Sequence, residues 1–526
     1  MAFQTQALLF LVFVSGLLVY RWASHRRRSG GLPYPPGPKG DPIIGNLRQL
    51  PDGKKEPLHI TYKKWSKIYG PVFSLESFGN RVVVLNTAHA TNELLEKRGN
   101  IYSDRNPGVI RRLSTDHHFP GMDYDEEFRT YRKVVNAAFN PTAVKDYSDI
   151  QEQETYECLE HLLESPDQWF FHMRRAAGSI ILRVTYDHKV TTHDDHLVEI
   201  NEAAIPNNLI AVTPTAFVVN FIPWLQYMPD WFPGTNYRPF VKKVLDGHMA
   251  IRNTPWVELK ERMAKGAIKP CYASRLLEMK GQITGSDDEE YIIKGTYAIS
   301  PLPSPALCSS QAASAGIMYG AAVDTTLGTM ASFVLAMLMH PECQKKLQAE
   351  IDSVVGRDRL PTFADEDHLP YLRWCVLETL RWMPVAPLGL AHACIQDDIY
   401  EGMFIPKGSI IVANQWAILH DETMYPKPMD FWPERWDGRF PQARDARLYA
   451  FGFNRRMCPG RHLAYRSVFI MAANLLSAFT LAPDEASPLP ENVSLGTGQT
   501  FKCRFVPRSS EKAALVRSTA SSLDAN

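Results

Sequence analysis

The sequence predicts a mainly α-helical protein with small β-sheets, preceded by one N-terminal transmembrane helix. Most of the chain carries apolar residues at helical spacing, and only two pairs of short segments read as β-hairpins. The chain also opens with an uncharged apolar run. Because 45% of its 526 residues are hydrophobic, the body of the chain can bury one large core.

Residues 1–22 are predicted to be a membrane anchor. The uncharged stretch before Arg21 is about long enough to cross a bilayer as a helix. Positive charge follows it, at residues 21 and 26–28, so the positive-inside rule places the rest of the chain in the cytosol. A cleaved signal peptide is the alternative, although it would carry positive charge before the apolar run. Residues 23–50, basic and proline-rich, predict a stiff hinge.

The body is expected to span residues 51–508, followed by a frayed polar tail at 509–526. Two hairpins are predicted, one from Val72–Leu75 with Arg81–Leu85 and one from Gly402–Ile405 with Gly408–Ala413. Helices are predicted from Pro341 to before Gly356 and from Tyr371 to Trp382.

Composition and motifs exclude several classes of protein. Lys and Arg together number 57, as do Asp and Glu, which argues against a nucleic-acid binder. The eight cysteines are scattered and form no CxxC pair. The motifs GxSxG, HExxH, GxxxxGK[ST] and GxGxxG are absent. His193–His196 and Asp116–His118 hold metal-binding residue types, but such polar clusters are more often solvated surface.

The segment 451–460, FGFNRRMCPG, concentrates the chemistry of the chain. A cysteine stands just before a predicted helix that starts near Arg461, where backbone N–H groups stabilise a thiolate. Arg455 and Arg456 add positive charge. Cys458 is therefore expected to be an anion and a ligand for a soft metal. The alternative is an ordinary loop cysteine.

This segment resembles the heme-binding loop FxxGxRxCxG of the cytochrome P450 family. Phe451, Arg456, Cys458 and Gly460 match, while Asn454 replaces a glycine. Asn tolerates a left-handed backbone, so the turn is expected to survive. The resemblance implies that Cys458 is the axial thiolate ligand of heme iron and that Arg456 pairs with a heme propionate.

Further motifs of the family follow in the expected order. Glu378–Arg381 resembles the ExxR helix, and Pro433–Trp436 resembles PERF with Trp for Phe, so the resemblance implies a buried triad of Glu378, Arg381 and Arg435. Alone, Glu378 and Arg381 would read as a surface ion pair. Phe128–Arg132 resembles WxxxR with Phe for Trp, which assigns Arg132 to a propionate, and His392 occupies another propionate-binding position.

Residues 321–326, AAVDTT, resemble the oxygen-activation motif [AG]GxDT[TS]. The resemblance assigns Thr325 and Asp324 to proton delivery, Thr325 as the hydroxyl relay and Asp324 as the acid that connects it to solvent. Ala322 replaces the usual glycine. Alternatively, Thr325 is an ordinary helical threonine that bonds its own i−4 carbonyl.

The resemblance covers nearly all of Pro33–Pro507 and implies a heme-thiolate monooxygenase with heme b. Such an enzyme inserts one atom of O2 into a small apolar molecule. Its electrons come from NADPH through a separate NADPH–cytochrome P450 reductase, with cytochrome b5 as a further donor. Segments such as LLEKRGNIYSDR resemble fungal members that oxidise secondary metabolites or xenobiotics. The implied location is the endoplasmic reticulum membrane, single-pass, with the catalytic domain in the cytosol.

One segment departs from the family. Residues 295–312, GTYAISPLPSPALCSSQA, intervene where members run almost directly into the oxygen-activation helix. Three alternating prolines exclude a helix there. The segment is a retained intron in the gene model or a genuine surface loop. The alternative to an active enzyme is an inactive membrane-anchored protein of the same fold, disabled by this insertion together with Ala322 and Asn454.

Deleting residues 295–312 tests these alternatives. We expect the deletion to raise heme occupancy and thermal stability, because the helix that carries Thr325 would then continue from Lys294 into Ala313 without proline. The two forms would be expressed side by side and the messenger sequenced. Equal heme binding by the full-length form, with no shorter transcript, would identify the segment as a genuine loop.

Overall fold

The structure of the chain is a computed structural model. It describes residue 16 and residues 23–24, 26–42, 44–51, 53, 55–105, 108–115, 119–191, 195–211, 217–220, 222–278, 310–485, 487, 489–490 and 501–524. The predicted anchor and most of the insertion, residues 295–309, lie outside these ranges, apart from Gly16, and remain predictions.

Helices dominate the described chain, as expected. In chain order they are α1 Leu58–Tyr69, α2 Ala88–Thr91, α3 Gly99–Tyr102, α4 Gly108–Thr115, α5 Glu126–Phe139, α6 Ser148–Glu164, α7 Trp169–Tyr186, α8 His196–Ala211, α9 Arg238–Ala264, α10 Tyr272–Glu278, α11 Ser310–Met339, α12 Pro341–Val354, α13 Pro370–Trp382, α14 Gln415–Leu419, α15 Arg447–Ala450, α16 Arg461–Ala478 and α17 Ser510–Asp524. Short 3-10 turns include Pro433–Trp436 and Asn454–Arg456. The predicted helices at 341 and 371 correspond to α12 and α13, with bounds within two residues of those expected.

The strands are few and short. They are β1 Val72–Ser77, β2 Asn80–Leu85, β3 His392–Ala393, β4 Asp398–Tyr400, β5 Met403–Ile405, β6 Ile410–Ala413, β7 Phe479–Pro483 and β8 Cys503–Pro507. The chain divides into two compact units, residues 1–106 with 388–417 and residues 107–387 with 418–526.

The first unit contains a four-stranded sheet in the order β1-β2-β6-β3. The first predicted hairpin is confirmed, since β1 and β2 pair antiparallel through a turn in which Phe78 and Gly79 have positive φ. The second predicted pairing is wrong. β5 pairs with β4 across the turn Glu401–Gly402, and β6 pairs parallel with β2, far away in sequence.

The core of the second unit surrounds α11. Residues 333–337 of this helix are fully buried, as expected for a helix that is apolar on all sides. Within the described part of the chain, the stretch Met318–Met339 is the one helix long and apolar enough to cross a membrane, and 72% of its most apolar window is buried in the structure. The helix already includes residues 310–312, which the sequence assigned to the insertion.

The polar tail forms helix α17, so the expectation of a frayed end is wrong. Lys512, Val516 and Ala520, spaced four residues apart, are buried, and Val516 belongs to the same apolar cluster as α6 and α11. The Lys512 ammonium donates to the carbonyl oxygens of Gly356 and Arg359. The small residues hid this spacing because they gave the segment the composition of a solvated tail.

A buried carboxylate connects α13 to the segment that precedes the cysteine loop. Glu378 accepts hydrogen bonds from the Arg381 guanidinium at 2.8 and 2.9 Å and from Arg435 Nε at 3.3 Å. All three side chains have 0% exposure. Trp436, which replaces the family's Phe, donates its indole N–H to Glu378 at 3.1 Å. The carboxylate therefore has four side-chain donors from two separate segments.

The two arginines of this triad also bind backbone. Arg381 donates to the carbonyl oxygens of Leu419, Pro428 and Asp430 at 2.7 to 3.0 Å. Arg435 donates to the carbonyl oxygen of Lys427 at 3.2 Å and to that of Pro426. The triad thus fixes the irregular chain between α14 and the turn Pro433–Trp436.

Glu378→Gln should lower the free energy of unfolding by about 3–5 kcal/mol, because two buried guanidinium groups lose their carboxylate. Thermal unfolding of both proteins measures this loss. Glu434→Gln is the matched control, since Glu434 pairs with the exposed Lys346 and should contribute no more than about 1 kcal/mol. Equal losses in the two variants would contradict a structural role for the buried triad.

Candidate functional site

The predicted cysteine loop lies between α15 and α16. Cys458 N–H donates to the carbonyl oxygen of Phe451 at 2.8 Å and closes the loop. The 3-10 turn Asn454–Arg456 lies inside it, and α16 begins three residues after the cysteine. This placement of Cys458 before a helix N-terminus is the one expected from the sequence.

The backbone of the loop requires two left-handed residues. Gly452 has φ of 82°, and Asn454 has φ of 42°. Asn454 therefore adopts the conformation for which the family uses glycine, as expected from its tolerance of that region. The turn forms with Asn in this position.

The environment of the Cys458 sulfur combines opposing effects. Burial is the largest, and it raises the pKa of the thiol above its ordinary value. The backbone N–H groups of Gly460 and Arg461 and the guanidinium groups of Arg132 and Arg461 favour the thiolate, but they do not outweigh burial. A metal cation bound to the sulfur would add a further positive charge that favours the thiolate.

Arg456 is held by α5. Its guanidinium stacks on the Phe128 ring at 3.8 Å, and its Nη2 donates to the carbonyl oxygen of Met122 at 2.7 Å. Phe128, the residue that replaces the family's Trp, thus fixes a cation of the cysteine loop. Asp125 begins α5 by accepting the Phe128 N–H at 2.8 Å.

Arg132 follows Phe128 by one helical turn and lies on the same face of α5. Burial lowers the pKa of its guanidinium, while the nearby Cys458 sulfur acts in the opposite direction. The structure therefore brings Arg132, Arg456 and Cys458 together on α5 and the cysteine loop.

His392 lies in the first unit, on β3, and is buried. Its Nδ1 is 2.8 Å from the carbonyl oxygen of Tyr102. The neighbouring carbonyl oxygens of Leu390 and Ala391 accept hydrogen bonds from Arg105. The segment before α4 thus fixes the strand that carries His392.

Thr325 and Asp324 lie on α11. Thr325 Oγ1 donates to the carbonyl oxygen of Ala321 at 3.0 Å, which is the local bond expected of an ordinary helical threonine. The Asp324 carboxylate accepts a hydrogen bond from Arg174 Nη2 at 3.1 Å. Burial raises the pKa of Asp324, whereas the Arg174 charge lowers it.

Sequence reasoning missed Arg174 and its second partner. Arg174 Nη1 donates to Glu202 at 3.0 Å, so one guanidinium on α7 links α8 and α11. No spacing rule could find this contact, because Asp324 is 150 positions away along the chain.

Asp195 belongs to the segment His193–His196, which holds metal-binding residue types. Its carboxylate accepts the N–H groups of Leu197 and Val198 at the start of α8.

Comparison with known proteins identifies the family. The family model described as "Cytochrome P450" matches residues 35–263 and 310–500. The match is interrupted between residues 263 and 310, and this interruption contains residues 295–309 of the predicted insertion. It resumes where α11 begins.

Curated fungal proteins are similar over almost the whole chain. Cytochrome P450 monooxygenase COX1 of Coprinopsis cinerea is 35% identical, covering 98% of this chain and 99% of the relative. Cytochrome P450 monooxygenase ppsD of Aspergillus oryzae is 37% identical, covering 89% of this chain and 86% of the relative.

A solved structure has the same fold. A zebrafish cytochrome P450 determined with abiraterone aligns with a TM-score of 0.66 at 23% identity, covering 86% of this chain and 100% of that chain. The mainly helical fold with small sheets, the cysteine loop and the match over most of the sequence lead to one assignment. The chain belongs to the cytochrome P450 family and is a heme-thiolate monooxygenase of the fungal type.

Proposed function

We propose that this monooxygenase is a single-pass protein of the endoplasmic reticulum membrane with its catalytic domain in the cytosol. It inserts one oxygen atom into a small apolar molecule, a fungal secondary metabolite or a xenobiotic. NADPH supplies the electrons through NADPH–cytochrome P450 reductase, and cytochrome b5 is a further donor.

The cysteine loop carries this proposal. Its donor set fits heme b, because Cys458 offers a soft ligand beneath two backbone N–H groups and because Arg132 and Arg456 offer cations for propionates. Heme bound there would supply O2 activation and oxygen transfer. The resemblance also assigns His392 to a propionate, and that assignment rests on the resemblance alone.

The chain's own residues are proposed to position the cysteine loop and to deliver protons to the reacting oxygen. The Glu378 triad fixes the chain between α14 and the turn Pro433–Trp436, and through that chain it is proposed to position the cysteine loop. On α11, the Thr325 hydroxyl is proposed to pass a proton toward the reacting oxygen, and Asp324 to resupply that proton from solvent. For this the Thr325 hydroxyl rotates from the carbonyl oxygen of Ala321, which costs one ordinary hydrogen bond.

The proposed location and redox partners rest on the sequence. The apolar run of residues 1–22 and the basic residues after it support a single-pass anchor with a cytosolic body. The chain carries no GxGxxG motif for a nicotinamide or flavin cofactor, so its electrons require a separate flavoprotein. The substrate class rests on the resemblance of segments such as LLEKRGNIYSDR to fungal members.

Two observations favour an active enzyme over the inactive alternative. Asn454 adopts the left-handed backbone that the loop needs, so the lost glycine does not prevent the turn. Helix α11 is continuous from Ser310 to Met339 and therefore carries Thr325 more than three turns from its start. The segment 295–312 is proposed to be dispensable.

Cys458→Ser tests the heme ligand. Reduced protein with CO should show the strongly red-shifted Soret band of thiolate ligation, and the substitution should abolish it because serine supplies no thiolate. Cys375→Ser and Cys394→Ser are matched controls and should keep the band, since Cys375 lies on α13 and Cys394 directly follows β3, both outside the cysteine loop. An unchanged spectrum in Cys458→Ser would refute the ligand assignment.

Thr325→Ala tests the proton relay. The variant should bind heme and substrate normally but consume NADPH with release of hydrogen peroxide, because proton delivery fails while electron delivery continues. Product formed per NADPH oxidised is the measurement. Thr329→Ala removes a hydroxyl one turn later, which also bonds its own helix, and should leave this ratio unchanged. Unchanged coupling in Thr325→Ala would place the relay elsewhere.

A further inference from the structure

Trp436 is an oxidisable side chain in contact with a buried proton acceptor. Its indole N–H donates to Glu378 Oε2 at 3.1 Å. Glu378 also forms ion pairs with Arg381 and Arg435, and all three charged side chains have 0% exposure. An ionised carboxylate only accepts hydrogen bonds, so the indole proton is directed at a group that can take it. Trp436 can therefore lose an electron and pass its N–H proton to Glu378.

Two tyrosines connect Trp436 with the cysteine loop. The Tyr425 ring centroid lies 6.0 Å from that of Trp436. Tyr449 on α15 lies near enough to Tyr425 that its charge raises the Tyr425 pKa, which burial also raises. The Tyr449 ring centroid lies 6.4 Å from that of Phe453, a residue of the cysteine loop. Aromatic side chains therefore extend from the cysteine loop to Glu378.

Tyr425 differs from Trp436 in where its proton can go. The Tyr425 hydroxyl donates to the carbonyl oxygen of Arg444 at 2.6 Å, and the side chain is fully buried. A backbone carbonyl oxygen is a much weaker base than a carboxylate, so it does not take the phenol proton. An oxidised Tyr425 therefore keeps its proton and regains an electron from its neighbour, whereas an oxidised Trp436 becomes a neutral radical.

Trp436 is also accessible from outside the protein. Its side chain is half-buried, whereas Tyr425 is fully buried. Trp432 is half-buried as well, and its ring contacts Phe440 at 5.0 Å and the Arg435 guanidinium at 5.5 Å. In the described part of the chain, the indole N–H of Trp432 forms no hydrogen bond with a carboxylate. Trp432 is therefore a natural control for Trp436.

We propose that Tyr449, Tyr425 and Trp436 form an electron path that gives the protein a second activity, the reduction of hydrogen peroxide. Electrons enter at the half-buried Trp436 and pass toward the cysteine loop. The path removes oxidising equivalents that no substrate has consumed, before they damage the heme or the Cys458 sulfur. This inference rests on the proposed function, since it requires heme bound to Cys458.

Each transfer along the path moves one electron and one proton. Trp436 gives an electron, through Tyr425 and Tyr449, to heme that hydrogen peroxide has oxidised, and its indole proton passes to Glu378. A reductant such as ascorbate returns one electron to the indole radical. A protonated Glu378 leaves two buried guanidinium groups without their carboxylate, so the proton then returns to the indole. Two transfers, with two protons from solvent, reduce one hydrogen peroxide to two molecules of water.

Electron paramagnetic resonance of rapidly frozen samples tests the path. The heme-loaded protein is mixed with hydrogen peroxide, without substrate and without reductase. We expect the signal of a neutral tryptophan radical in the unaltered protein and its loss in Trp436→Phe. Phenylalanine is the family's residue at this position, so the CO band of thiolate ligation should be unchanged. Trp432→Phe is the matched control and should keep the radical signal.

Heme bleaching by peroxide gives a second measurement on the same proteins. Trp436→Phe should bleach faster than the unaltered protein, and Trp432→Phe should not. Ascorbate should slow bleaching of the unaltered protein but not of Trp436→Phe, because electrons enter at Trp436. In D2O the radical should form more slowly, since the indole proton moves with the electron.

The outcomes separate this inference from the proposed function. An unaltered protein without the red-shifted CO band would refute heme ligation by Cys458, and the electron path with it. With that band present, a radical signal that persists in Trp436→Phe would overturn the path. Equal loss of the signal in Trp432→Phe, or equal bleaching of all three proteins, would overturn it as well.

Discussion

The buried carboxylate of Glu378 is the interaction on which the second unit depends most directly. It lies on the regular helix α13, yet two of the three side chains that it binds, Arg435 and Trp436, belong to the separate turn Pro433–Trp436. The cost of burying two guanidinium groups is offset only if every donor finds an acceptor. Backbone carbonyl oxygens between α14 and the turn Pro433–Trp436 accept these hydrogen bonds. The buried guanidinium groups therefore fix the backbone path of that segment.

The same balance of burial and charge governs the cysteine. Backbone N–H groups and two guanidinium groups act on the Cys458 sulfur, but its burial still favours the neutral thiol. A site of this kind binds a metal cation by exchanging a proton for it. Arg132 is one of these two guanidinium groups, and it is also a residue that we propose to bind a heme propionate.

Local signals in the sequence predicted the helices and turns whose contacts join residues close together along the chain. Pro341 and Gly356 delimit α12, and the turn Phe78–Gly79 closes the first hairpin. The pairing of β6 with β2 was missed because it joins strands from opposite ends of the chain, and no turn encodes it. The helical C-terminus was missed because its many small and polar residues have the composition of a solvated tail and hid the buried positions of Lys512, Val516 and Ala520.

The candidate site shows the same difference between local and long-range contacts. Each motif residue was predicted from a short pattern, and the structure places Cys458 before a helix N-terminus as that pattern predicts. Arg174 and Glu202 belong to no motif and reach Asp324 only through the packing of three helices. The roles of the motif residues, His392 among them, and of the segment at 295–312 stay predictions.

The C-terminal helix has a consequence for how the protein is made. Val516 packs in the apolar cluster around α6 and α11, and Lys512 donates to the carbonyl oxygens of Gly356 and Arg359. These contacts join residues that are hundreds of positions apart, and such contacts form late and slowly. During synthesis this side of the apolar cluster therefore stays uncovered until residues 510–524 have left the ribosome. A truncated product would expose apolar surface and become a substrate for chaperones and proteases.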